Sequence, residues 1–134
     1  MGNSRERVEL SAAFDVQPDV RVSRDRIIAT LETAPNIAVA GSPWGPQAAG
    51  VSVTQLREGD TPPTGEQLVL VGKDNHRHAW VREMVDTARR RHPSTLVIDM
   101  GWPSEDRRYA DIATFGASRV VGQALAEWLD RVQR

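Results

Sequence analysis

The sequence contains no cysteine among its 134 residues. This absence excludes a disulfide framework, a cysteine nucleophile and any zinc site built on thiolates. Long apolar runs are missing as well, since none approaches the roughly 18 residues of a transmembrane helix. The polar start MGNSRERVEL also lacks the apolar core of a signal peptide. We therefore expect a cytoplasmic protein without a membrane partner.

Neither sign of charge is in clear excess, because 17 Lys and Arg face 18 Asp and Glu, for a formal net charge of -1. That balance gives no electrostatic reason to expect nucleic acid or an anionic membrane surface as a partner. The length is too short for a (β/α)₈ barrel, which needs about 200 residues or more. With 40% hydrophobic and 26% charged residues, the composition predicts one folded domain over residues 1–134.

The second half of the chain alternates between strand and helix patterns. Apolar or alternating runs predict strands at 27–31, 37–40, 51–56, 67–72, 95–100 and 111–115, and helical periodicity predicts helices at 79–91 and 119–132. Such alternation implies parallel strands joined by right-handed crossovers and covered by helices. The predicted fold is α/β, a mostly parallel sheet in a three-layer sandwich over residues 27–134. Residues 1–26 are expected to form an irregular N-terminal arm, in which 8–14 is either a strand or a docking segment.

In an open parallel sheet, ligands bind outside the carboxyl ends of the strands, so the loops that follow the strands are the candidate sites. The first such loop contains Asp74, His76, Arg77 and His78. The two histidines and Asp74 suit a metal ion, with Asp99 as the available further ligand. The structural alternative is that Asp74 or Asn75 caps the following helix while the histidines bind neighbouring loops, and it is favoured, so no metal or other cofactor is expected.

The second loop follows the strand at 95–100 and reads Asp99-Met100-Gly101-Trp102-Pro103. A carboxylate at the end of a buried strand can act as a general acid or base, because burial raises its pKa. More commonly such an aspartate binds loop amides or an arginine. Trp102 can stack on a sugar ring, or it can simply cover an edge of the core. The structural interpretation is favoured for both residues.

The third loop leads into the final helix through Gly116, Ala117 and Ser118. Free backbone amides at a helix N-terminus, together with Ser118 and Arg119, can hold an anion or a polar ligand. The loop has neither GxGxxG spacing nor a Walker pattern, and no G-x-S-x-G elbow is present. Ser118 is most simply an N-cap.

Four tryptophans accompany two Phe and one Tyr. Trp80 and Trp128 fall on the inner faces of the predicted helices and are expected in the core. Trp44 and Trp102 lie in Gly/Pro turns and are the better candidates for an exposed binding platform.

Four segments together resemble a known family. They are PNIAVAGSPWG at 35–45, VLVGKDNHRHAW at 69–80, VIDMGWP at 97–103 and ATFGASR at 113–119. In this order they are similar to the C-terminal α/β-sandwich domain of glycoside hydrolase family 3, nearest to its bacterial β-N-acetylhexosaminidase-like branch. The similarity extends over about residues 27–130.

The resemblance implies a parallel-sheet sandwich taken from an enzyme that hydrolyses β-linked N-acetylglucosaminides with retention, through a covalent intermediate on an aspartate. In that branch the nucleophile and the acid/base group belong to an N-terminal barrel, which this chain lacks. No catalytic residue is therefore carried over. The resemblance implies a non-catalytic accessory or carbohydrate-binding domain, with an amino sugar or other carbohydrate as ligand.

Three alternatives stay open. In the first, the chain is a fragment or subunit of an active hydrolase that is completed by a separate barrel partner. In the second, it is a purely structural domain that forms homo-oligomers. In the third, it has a new active site at the sheet edge, built from Asp74, His76, His78 and Asp99.

Overall fold

The computed structural model describes residues 4–33 and 44–133. In chain order the elements are α1 (Ser4–Ala12), β1 (Asp15–Val16), β2 (Arg26–Leu31), a 3₁₀ turn (Pro46–Ala49), β3 (Thr54–Leu56), β4 (Gln67–Gly72), a second 3₁₀ turn (Asn75–Arg77), α2 (Ala79–Arg91), β5 (Leu96–Asp99), β6 (Ile112–Ala113) and α3 (Arg119–Val132). Both predicted helices and the strand at 67–72 are confirmed with the same bounds. The predicted strand at 37–40 lies outside the described residues.

Six strands form one sheet in the order β1-β6-β5-β4-β2-β3. All neighbours are parallel except β1, which pairs antiparallel with β6. The mostly parallel α/β sheet predicted from the sequence is thus confirmed. β3 is half as long as the predicted strand at 51–56, and β6 covers only the centre of 111–115.

The core is divided between two clusters, because successive residues of a strand point to opposite faces. Val69 and Val71 of β4 belong to the cluster that contains Leu125 and Leu129 of α3. The alternate residues Leu68 and Leu70 of β4 pack with side chains of α2, Val81 and Val85 among them. β4 is therefore buried on both faces, which explains why its sequence is continuously apolar rather than alternating.

Residues 4–26 differ from the irregular N-terminal arm that was expected. Residues 4–12 form a helix, and residues 15–16 add an edge strand to the sheet. Long-range polar contacts hold α1 on α3, where Arg7 Nε donates to Glu127 Oε1 at 2.7 Å and Arg131 Nη2 donates to Ser11 Oγ at 2.8 Å. The apolar periodicity of α1 is weak, so its position depends on partners more than 100 residues away, which local pattern cannot reveal.

None of the helices within the described residues has the length and apolar content needed to cross a membrane.

Candidate functional site

Three strands end side by side at one edge of the sheet. The register pairs Gly72 of β4 with Asp99 of β5, and Asp99 in turn with Ala113 of β6. The three loops singled out in the sequence therefore begin at the same level and lie next to one another. We call this the carboxyl edge.

Asp99 is fully buried at the carboxyl edge and accepts three backbone hydrogen bonds. The donors are the amides of Asp74 at 2.8 Å, Asn75 at 3.0 Å and Gly101 at 2.7 Å. Burial raises the pKa of Asp99 above its ordinary value, while the three amides act in the opposite direction and the nearby Asp74 carboxylate adds to the increase. The carboxylate thus holds the loop after β4 and the loop after β5 in place, in agreement with the structural interpretation of this residue.

Asp74 also joins the loop after β4 to the loop after β5. Its Oδ1 accepts the backbone N–H of Trp102 at 2.8 Å, and its own backbone is left-handed, with φ at 53°. Gly101 fits beneath it only because it lacks a side chain, since a Cβ at position 101 would lie 2.9 Å from the backbone nitrogen of Asp74. Asp74 therefore does not cap α2, contrary to one expectation.

Asn75 completes this network and was not predicted to have such a role. It is fully buried, and its side-chain amide donates to the carbonyl oxygens of Ile98 at 3.2 Å and Tyr109 at 3.0 Å. A Cβ at Gly72 would overlap its Oδ1. Asn75 is a bridge between β5 and the segment before β6 rather than a helix cap. We refer to Gly72, Asp74, Asn75, Asp99 and Gly101 as the interlocked loops.

The two histidines take no part in that network. His78 occupies the N-cap position of α2 without a side-chain cap, and its side chain is half-buried. His76 has a buried Nδ1 without a hydrogen-bond partner among the described residues, and its carbonyl oxygen accepts from Arg82 Nη1 at 2.7 Å. The expectation that they bind neighbouring loops through their imidazoles is wrong for the described part of the chain. Arg77 between them is exposed.

Across residues 4–33 and 44–133, no group of three or more His, Asp or Glu side chains is arranged to hold a metal ion. Asp99, the further ligand considered for His76 and His78, is occupied by three amide donors. The described residues therefore give no support to the metal interpretation of this loop.

An aromatic platform covers the outside of the carboxyl edge. Trp102 is 66% exposed, and its ring centroid lies 5.3 Å from that of Phe115 with a 52° tilt. The guanidinium of Arg107 lies 5.9 Å from the Phe115 ring and is itself fixed by a 2.7 Å ion pair with Asp15. We call Trp102, Phe115 and Arg107 the platform.

Left-handed backbone is concentrated around this platform. Among the described residues, the non-glycine residues with positive φ are Asp74, Arg107 at 54° and Phe115 at 56°. Two of them belong to the platform, and the third holds the Trp102 amide. Such conformations cost free energy and tend to occur at functional sites.

The third loop behaves as expected for a cap. Ser118 Oγ accepts the Val121 N–H at 3.3 Å, so the N-cap interpretation of Ser118 is confirmed. Arg119 is exposed at the first position of α3, near the platform in sequence.

Trp44 is placed differently from its prediction as a surface platform. It is only 6% exposed and belongs to the core cluster on the α3 side of the sheet. The ammonium group of Lys73 lies 5.1 Å from its ring centroid. Trp80 and Trp128 are partly buried and pack against the two core clusters, close to expectation.

Sequence reasoning missed Phe115 and Arg107. Phe115 was assigned to the strand at 111–115, and the left-handed backbone that turns it toward Trp102 leaves no mark in the sequence. Arg107 lies in a polar stretch without periodicity.

Comparisons of this chain with known protein families, curated proteins and solved structures each find no match.

Proposed function

We propose that this chain is a non-catalytic carbohydrate-binding or accessory domain, related in fold to the C-terminal domain of family 3 glycoside hydrolases. The proposal includes a three-layer arrangement, with α2 on one face of the sheet and α1 and α3 on the other. It also includes the cytoplasmic location expected from the composition, and an amino sugar or a related carbohydrate as ligand.

The observation that carries the proposal is the exposed ring of Trp102. Its accessible face is large and amphipathic, and a tryptophan face suits the apolar face of a sugar ring. Phe115 supports this ring from the side, so its orientation is fixed before a ligand arrives. Fixing a side chain in advance reduces the entropy lost on binding.

The interlocked loops support the non-catalytic part of the proposal. Asp99 and Asp74 are the strongest acid/base candidates in the sequence, and both already accept backbone amides. An aspartate whose oxygens are committed to loop amides is poorly available for proton transfer to a substrate. These carboxylates are better explained by a structural role, in which they bind the backbone amides of Gly101 and Trp102 and so position the platform.

The test is calorimetric titration of the chain with N-acetylglucosamine and with short chitooligosaccharides. We expect weak binding, with Kd of about 1 mM for the oligosaccharide, and at least tenfold weaker binding in Trp102→Ala. Arg108→Ala is the matched control, because Arg108 is exposed in the same loop and lies outside the platform. Equal affinity in Trp102→Ala and wild type, or no heat with any of these sugars, would refute the carbohydrate-binding proposal.

Turnover of a chromogenic N-acetylglucosaminide separates this proposal from an enzyme. We expect no product from the isolated chain. Turnover that disappears in His76→Ala with the fold intact would instead support a new active site at the carboxyl edge.

A further inference from the structure

A cavity of about 370 Å³ lies between α2 and the loop that follows β3. Trp80, Met84, Thr87 and Arg91 line it from α2, at a spacing that places them on one face of the helix. Residues 58–62 of the loop line it from the other element. Ligand pockets commonly have volumes of about 300 to 1,000 Å³, so the cavity is large enough for a small molecule. We call it the Trp80 cavity.

The loop that lines the Trp80 cavity is held in a closed turn. The Arg57 N–H donates to Asp60 Oδ2 at 2.8 Å, and the Asp60 N–H donates to the carbonyl oxygen of Arg57 at 3.0 Å. Gly59 within this turn has a φ of 93°, which glycine adopts without steric strain. Glu58 is thus exposed to solvent but attached to a backbone whose shape is fixed before a ligand arrives, which lowers the entropy lost on binding.

Part of the cavity wall is apolar. Met84 is 6% exposed, Pro62 is buried, and Trp80 is half-buried with part of its ring against the core cluster that contains Met84. Three other aromatic rings have a Lys or Arg side chain over them, whereas no such cation lies over Trp80 among the described residues. The cavity therefore offers an aromatic surface that no cation of the described chain already occupies.

The charged residues around the cavity are mainly acidic. Glu58, Asp60 and Glu83 are exposed to solvent and line it, and Arg91 brings one positive charge to the same lining. None of these four residues forms an ion pair within the described parts of the chain. Arg91 follows Glu83 by eight residues, about 12 Å along the helix axis, so it lies at the far end of the helical wall. The excess of negative charge favours a cationic ligand.

A bare metal ion does not suit this arrangement. Across residues 4–33 and 44–133, no three His, Asp or Glu side chains are placed to hold one. An organic cation suits it better, because its carbon chain can cover the apolar wall while its charge approaches the carboxylates. A cation over an indole face is also attracted by the aromatic ring.

We propose that the Trp80 cavity binds a small organic cation, an ammonium group on a short aliphatic chain. The ammonium group interacts with Glu83, Glu58 and the indole face of Trp80, and the aliphatic chain covers Met84. This site is independent of the proposed carbohydrate-binding function, because no platform residue lines the cavity.

The indole N–H signal of Trp80 in ¹⁵N-resolved NMR spectra of the whole chain reports on the cavity, and it is assigned as the signal lost in Trp80→Phe. The probes n-butylammonium, n-butanol and butyrate share a carbon chain and differ in charge. Each is added up to about 50 mM at constant ionic strength, a range suited to millimolar affinity. We expect a saturable shift of the Trp80 signal with n-butylammonium, and shifts at least fivefold smaller with the other two probes.

Substitutions of the charged residues test the electrostatic part of the proposal. Glu83→Gln and Glu58→Gln should each weaken n-butylammonium binding about threefold, within the range for one exposed ion pair. Glu105→Gln is the matched control, because Glu105 is exposed and lies outside the cavity. Arg91→Gln should leave the affinity unchanged or increase it, since it removes a positive charge. All four side chains are exposed, so these variants should keep the fold.

A Trp80 signal that does not move with n-butylammonium overturns the proposal. An equal shift with n-butanol or butyrate also overturns it, because the cavity would then not recognise positive charge. The same conclusion follows from unchanged affinity in both Glu83→Gln and Glu58→Gln, or from weaker binding in Arg91→Gln. Failure of the platform appears separately, as a Trp102 signal that no sugar shifts.

Discussion

Two buried carboxylates lie at the carboxyl ends of parallel strands in this protein, and their surroundings are opposite. Asp99, the last residue of β5, accepts three backbone hydrogen bonds and has no exposed surface. Glu32 after β2 is nearly as buried, yet its Oε2 has no partner among the described residues. The comparison separates a carboxylate that the fold requires from one that the fold merely tolerates.

The largest expected effect on stability comes from removing the Asp99 carboxylate. Asp99→Ala leaves three backbone amides without an acceptor, that of Asn75 buried and the other two partly buried, and should lower the free energy of unfolding by about 3 kcal/mol. Urea unfolding followed by tryptophan fluorescence measures it. A loss below about 1 kcal/mol would mean that the interlocked loops find other partners, and the contrast with Glu32 would disappear.

A second prediction concerns the close packing of the interlocked loops. Gly101→Ala should lower the free energy of unfolding by about 2 kcal/mol, because the new Cβ would lie 2.9 Å from the Asp74 backbone nitrogen. A backbone atom cannot move aside as a flexible side chain can. Gly116→Ala is the matched control, since its Cβ would meet only Val121 Cγ2 at 3.8 Å. Equal stability of the two variants in urea unfolding would contradict the interlocked arrangement.

The pH dependence of stability sharpens the contrast further. Burial raises the pKa of Asp99 above its ordinary value of 3.8, so the folded chain binds a proton there more readily than the unfolded chain does. Stability from this group is fully present below the unfolded pKa and is lost as pH rises through the folded pKa. The free energy of unfolding of wild type minus that of Asp99→Asn should therefore decrease as pH rises from about 3.8, and then become constant. Urea unfolding at several acidic pH values measures this difference, and an increase with pH would contradict the prediction.

The smallest expected effect on stability is on the Glu32 side. Glu32→Gln removes a buried charge that has no described ion-pair partner, so the free energy of unfolding should stay within about 1 kcal/mol of wild type, with any change toward higher stability. Thermal unfolding beside Glu66→Gln, an exposed control, checks it. A decrease in the free energy of unfolding comparable to that of Asp99→Ala would show that Glu32 is a structural carboxylate as well. The two carboxylates would then not differ in their importance to the fold.

Much of the fold could be predicted because buried strands and amphipathic helices have strong periodic patterns. β4, α2 and α3 were predicted with their observed bounds for that reason. α1 and β1 were missed because neither has such a pattern, and each depends on distant partners, Glu127 for α1 and Ile112 with Ala113 for β1. The platform was predicted only in part, since Trp102 lies in a visible turn while Phe115 reaches it through a left-handed backbone.

The sequence by itself determined the class of fold and the edge at which polar residues collect. Apolar runs that end in Gly72 and Asp99 predict parallel strands, and parallel strands bring their carboxyl ends to one edge. Only the tertiary structure decided which of those residues are committed to the fold. Asp99 is the last residue of β5 and Glu32 is the first residue after β2, and only the loops packed around them determine whether backbone amides reach their oxygens. Trp44 and Trp102 likewise lie in similar turns, but Trp44 packs into the core beneath α3 while Trp102 remains exposed. Hydrogen bonding and burial depend on residues far apart in the chain, so local sequence cannot determine them.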